Sequence, residues 1–118
     1  MRRKIAIWMI AIPFLAAASL HARDIAVGGF LPYDFAPLPM NVFWTALLPL
    51  DLAVPLLLFL RKLRAALVLG LAIMVCDVAI NAYAMLGFGW NEFAPSLAMQ
   101  PGFLGYLIGV APFLWRAE

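Results

Sequence analysis

This sequence has very little charge. Asp, Glu, Lys and Arg make up 12% of its 118 residues, 67% are hydrophobic, and the mean hydropathy is +1.02. A soluble domain carries about 25% charged and about 45–50% apolar residues. The shortage of charge excludes an ordinary water-soluble domain and places the chain in a bilayer. Cysteine is nearly missing as well. Cys76 stands alone, which excludes an intrachain disulfide and a cysteine-based metal site. HExxH, a nucleophile elbow, a P-loop and a Gly-rich dinucleotide loop are all lacking. Without them neither an enzymatic activity nor a cofactor is expected. The few basic residues are accounted for by membrane topology, so no nucleic-acid partner is expected either. Internal repeats and low-complexity segments do not occur.

What is there is long apolar runs. A helix needs roughly 20 apolar residues to cross a bilayer. Four stretches free of Lys and Arg approach or meet that length: about 5–22, 41–60, 65–86 and 95–115. Barrel strands would instead show alternating segments of about 10 residues. The sequence therefore predicts an all-α membrane protein: a four-transmembrane-helix antiparallel bundle forming one integral membrane domain over 1–118. Pro95, Pro101 and Gly102 predict a loose start for the fourth span, with its regular part from about Pro101.

Charge placement predicts the orientation. Arg2, Arg3 and Lys4 precede span one, Arg61, Lys62 and Arg64 join spans two and three, and Arg116 follows span four. Only Arg23 falls on the other side. Basic residues are retained on the cytoplasmic face, so both termini are expected there, in a bacterial inner (plasma) membrane. Trp8 and Trp115 fall near the cytoplasmic boundary, and Trp44 and Trp90 near the opposite one, as indoles at an interface do. A competing reading is a signal peptide. MRRK, an apolar run and Ala16-x-Ala18 would allow cleavage before Ser19 and leave three spans.

The connections differ in length. Residues 23–40 form the longest, with Gly28–Gly29 and three prolines against a continuous helix. A loop of this length is often a lid or an interface-hugging cap, and its aromatic residues favour the simpler reading of a connector resting on the headgroups. A second outer loop covers 87–96. Glu92, Asp24, Asp34, His21 and Arg23 would either line an entrance or, as the simpler reading has it, be loose polarity at the outer surface. The inner connection, RKLR, is so short that spans two and three must form a tight hairpin.

That hairpin matters because Asp51 and Asp77 lie within spans two and three. Asp51 is ten residues inside Asn41, roughly 15 Å at 1.5 Å per residue, and Asp77 is nine residues before Leu86, about 13–14 Å. Both carboxylates are thus expected near the bilayer centre and across the hairpin from each other. Asn81 follows Asp77 by one turn on the same face, with Ala66, Gly70 and Ala84 close to that face. Pro55 frees the carbonyl of Asp51, and Pro49 that of Thr45. Such oxygens need a neighbour, a water or a cation. Two carboxylates at one depth in low dielectric cannot both stay charged without a cation. Asp51, Asp77 and Asn81 are therefore the expected proton- or cation-binding residues. The simpler alternative is that they fasten two helices. Ala98, Gly102, Gly105 and Gly109 make a small-residue stripe expected to pack within the chain, Gln100 and Tyr106 are candidates for an added hydrogen bond, and Cys76 is expected in the core.

Two functions fit. One is proton- or cation-coupled transport through the carboxylates. The other is a non-catalytic subunit or scaffold of a membrane complex. The expected partners are the lipid bilayer and either a second copy of the chain or a larger membrane protein. Small multidrug transporters share this length and span number but carry a glutamate in the first helix, where 5–22 has no acidic residue. The GxGD motif of intramembrane aspartyl proteases does not occur at either aspartate.

Overall fold

The structure, a computed structural model, describes residues 1–118 apart from the side chain of Phe93. Its elements are α1 (Arg2–Gly28), α2 (Leu38–Phe59), α3 (Leu63–Phe88), a single 3-10 turn (Asn91–Phe93) and α4 (Ala94–Arg116). No strand occurs among the described residues. All four helices are long and apolar enough to cross a membrane. Helix is the required solution for such segments, because every backbone N–H and C=O must find its partner within the segment.

Two boundaries differ from the sequence expectation. Span one was expected to end near residue 22, yet α1 continues through Arg23 and Asp24 to Gly28. Charge does not stop a helix. The chain leaves the helix only where Gly29 takes φ +83°, a conformation that glycine reaches without a Cβ clash. The connection to α2 shrinks accordingly to residues 29–37. Span four begins at Ala94, ahead of Pro95, and does not wait for Pro101. A proline in the first turn costs little, since its missing N–H has no intrahelical partner there. At the other end of α3, Gly89 supplies the left-handed exit at φ +70°.

Neighbours in sequence are neighbours in space: α1 packs on α2, α2 on α3 and α3 on α4. Between α1 and α4 the contact is sparse, and an edge-on pair of Phe14 and Phe103, 5.5 Å between ring centres, bridges it. The core holds Ile10 and Phe14 from α1, Leu47 and Val54 from α2, Leu67 from α3 and Leu107 from α4. Gly70 is buried where α3 approaches Phe14 and Val54. Ala66 and Ala84 are also buried, as the small-residue face of α3 predicts.

The short Leu60–Lys62 connection turns α3 back along α2. Trp8 lies 5.3 Å from Phe59, and the Arg64 guanidinium stands 5.2 Å above the Trp115 ring. Arg64 also donates from Nε to the Trp115 carbonyl and from its backbone N–H to the Glu118 carboxylate. Both chain termini and the α2–α3 connection therefore share one end of the molecule. The opposite end is called distal below. The longest dimension, 43 Å, matches a bilayer of about 40–45 Å with its headgroups.

Three side-chain expectations are corrected. Cys76 is exposed and does not enter the core. Gly102, Gly105 and Gly109 meet open space and do not form an intrachain seam. Trp44 is not an interfacial anchor: it is 4% exposed and hydrogen-bonded inside the bundle. Finally, α1 runs unbroken through Ala16–Ser19, with Phe14 and Ala18 buried. A cut before Ser19 would remove part of the core.

Candidate functional site

Construction of the site begins in the connection after α1. Leu31 takes φ +57°, which is costly for a branched side chain, and its carbonyl is held by Asn41 Nδ2 at 3.0 Å. The Asn41 Oδ1 accepts from the Tyr33 backbone N–H at 3.0 Å and from Thr45 Oγ1 at 3.3 Å. Asn41 lies in the first turns of α2 and is buried, so it ties the connection down onto the bundle. Residues 29–37 therefore fold over the distal end as a cap, with Phe30 and Phe35 still exposed on its outer side. Tyr33 is half-buried, and Phe35 packs against Trp44 and Trp90.

The cap aims Tyr33 at α1. Its hydroxyl donates to Asp24 Oδ2 at 2.6 Å, and its oxygen lies 2.8 Å from His21 Nδ1. Burial, reinforced by the hydrogen bond to Asp24 and that residue's charge, holds the Tyr33 phenol well above its usual range. It keeps its hydrogen. The other ring nitrogen of His21, Nε2, stands 3.8 Å from Asp51 Oδ2. Asp51 itself is 3% exposed.

A second chain of bonds serves Asp77. Trp44 Nε1 donates to Asn81 Oδ1 at 3.0 Å, Asn81 Nδ2 to Gln100 Oε1 at 3.2 Å, and Gln100 Nε2 to Asp77 Oδ2 at 2.9 Å. Each donor polarises the next acceptor, and the run ends on the carboxylate. It joins α2, α3 and α4.

Two adjoining cavities lie between these chains. The distal one, about 280 Å³, is bordered by His21, Asp24, Tyr33, Trp44, Asp77 and Gln100. The deeper one, about 250 Å³, is bordered by Asp51, Asp77 and Gln100 on a largely apolar wall that includes Phe14, Met74 and Phe103. Asp77 and Gln100 face both. The space follows from the sparse packing of α1 against α4.

Asp51, Asp77 and Asn81, the residues singled out from sequence, thus fall in one region. Asp51 and Asp77 border one cavity, and Asn81 reaches Asp77 by way of Gln100. Sequence reasoning weighed His21 and Asp24 as the lining of an entrance but favoured loose surface polarity, and it did not connect either residue to Asp51. Gln100 was noted only as a hydrogen-bonding candidate. The missed signal was spacing: His21 follows Phe14 by seven residues, on the same face of a helix that continues past 22. Among the described residues, no three His, Cys, Asp or Glu side chains cluster closely enough to hold a metal ion by themselves. No family model, curated protein or solved structure matches this chain.

Proposed function

We propose that the chain is a four-span plasma-membrane protein with both termini in the cytoplasm, and that Asp51 and Asp77, with Asn81, bind and release a proton or small cation in transport. Seven of the eight basic residues gather at the end that carries both termini, which supports the orientation by the retention of positive charge on the cytoplasmic side. The bacterial inner membrane suits a short polytopic chain with that bias.

One observation carries the functional reading: carboxylates from two helices border a single cavity at mid-depth. Ionisable groups inside a membrane are expensive, and by default they mark proton or ion pathways. Two of them facing one low-dielectric space stay there by sharing protons or a cation. The amides of Asn81 and Gln100 orient one of the pair without adding charge. We assign these residues no catalytic step.

A second reading, a non-catalytic subunit or scaffold, is favoured by α4. Its Gly102, Gly105 and Gly109 face open space, which a helix of a second copy or a larger membrane protein would fill.

Melting in detergent separates the two. Groups kept for function are stability liabilities, so Asp51→Asn and Asp77→Asn should each raise the melting temperature by a few degrees, on the order of 1 kcal/mol. A lower melting temperature in both variants would make the carboxylates helix fastenings, each worth about 0.6 kcal/mol, and would leave the subunit reading standing.

A further inference from the structure

We propose that His21 carries the proton between Asp51 and the distal surface, with its tautomer set by Tyr33 and Asp24. The proposal rests on the reading of Asp51 as a proton site and adds the route by which its proton leaves.

An ionised carboxylate only accepts, so the 2.6 Å contact between Asp24 Oδ2 and Tyr33 requires the phenol to donate. The phenol has one hydrogen. Its oxygen must therefore accept at the 2.8 Å contact with His21, and Nδ1 must carry the hydrogen. A neutral ring with Nδ1–H has its lone pair on Nε2. That nitrogen lies 3.8 Å from Asp51 Oδ2, within reach after a small side-chain adjustment.

One proton then moves by three linked transfers. The Asp51 O–H bond breaks as an N–H bond forms at His21 Nε2. The Nδ1–H bond breaks as that hydrogen passes to the Tyr33 oxygen. The original phenol hydrogen passes to Asp24 Oδ2. Asp51 ends as a carboxylate accepting from Nε2–H, and Asp24 ends as a carboxylic acid. Nothing is oxidised or reduced, and Asp24, which is exposed, releases the proton to water. The groups facing His21 are Asp24 on its own helix, Tyr33 from the cap, Asp51 from α2, Asp77 from α3 across the distal cavity, and the non-ionising Ser96 and Gln100 from α4.

The chain contains one histidine, so the test reads a single site. The tag-free protein, labelled with ¹⁵N in the imidazole ring, is placed in lipid nanodiscs and its two ring nitrogens are followed by NMR against pH. The neutral ring should be mainly Nδ1–H, with Nε2 bare and accepting. Tyr33→Phe should shift the population towards Nε2–H several-fold. Asp51→Asn should leave Nδ1–H in place and change the midpoint of ring protonation by about one pH unit or more. Mainly Nε2–H in the neutral wild type, or ring titration indifferent to Asp51→Asn, would overturn the proposal. If Asp51→Asn does not fold, the wild-type tautomer and its response to Tyr33→Phe decide alone. The melting experiment judges Asp51 and Asp77 without reference to the tautomer, so the two ideas fail separately.

Discussion

α2 and α4 are nearly the same length, 22 and 23 residues, and each has two prolines in its interior, Pro49 and Pro55 in one and Pro101 and Pro112 in the other. Their environments differ sharply. α2 lies between α1 and α3 and buries eight residues, among them Asn41, Trp44 and Asp51. α4 leans on α3, touches α1 sparsely and buries only Leu107 and Leu114. Composition does not decide this, because both segments are apolar all round. The number of helical neighbours does. The comparison teaches that the candidate site has a packed wall and a lightly buried one: α2 brings Asp51 and Trp44 on a spine held from both sides, whereas α4 brings Gln100 on a helix held mainly by α3.

Core truncation should expose the difference most strongly. Leu58 on α2 is 2% exposed, and Ile108 on α4 is 59% exposed. Leu58→Ala should destabilise the protein by about 2–5 kcal/mol, through lost contacts and the cavity left behind. Ile108→Ala should change stability by about 0.5 kcal/mol or less. Unfolding in mixed micelles measures both, and equal losses would erase the distinction between the helices.

Glycines give the next largest contrast. A Cβ on Gly70 would stand 3.4 Å from the Phe14 ring and 3.7 Å from Val54. Gly70→Leu should therefore overpack the α1–α2–α3 seam, at about 1–3 kcal/mol. On α4 a Cβ at Gly105 meets nothing within 4 Å. Gly105→Ala should raise the stability of the isolated chain by up to about 1 kcal/mol through helix propensity. Loss of a co-purifying membrane partner in Gly105→Ala would instead mark the glycine face as an interface.

The sequence made some of this legible and left the rest dark, for reasons tied to particular residues. Four spans are a one-dimensional signal, carried by apolar runs and the placement of Arg and Lys. The shared depth of Asp51 and Asp77 follows from the rise of a helix and the shortness of the RKLR turn. The end of α1 was misplaced because Arg23 and Asp24 looked like a boundary, while the backbone stops at the next residues able to take a positive φ. That error moved Asp24 into a loop and hid its alignment with His21. Gln100 meets Asp77, and Trp44 meets Asn81, only because of how α4 and α2 are rotated, and hydrophobicity all round a helix gives no rotation to read. A cap was one reading of the long connection, but its fastening was unreadable, since Asn41 holds it through backbone groups of Leu31 and Tyr33 that have no sequence signature.

The most local effect is at Gln100, and it tests the lightly held wall directly. Its side chain accepts from Asn81 and donates to Asp77, and these are the polar ties between α4 and α3 at the site. Gln100→Leu fits an apolar wall that already contains Met99 and Phe103. Interhelical hydrogen bonds in membranes average about 0.6 kcal/mol each, so losing both corresponds to roughly an eightfold change in a local opening equilibrium. Because α4 has little buried apolar surface to hold it, that loss should appear there and not in the spine. Amide hydrogen exchange in nanodiscs should speed up about eightfold along the distal half of α4, with the amides of α2 unchanged. Equal acceleration in both helices would mean that the four open as one cooperative unit, and α4 would then be no freer to move beside the carboxylates than α2.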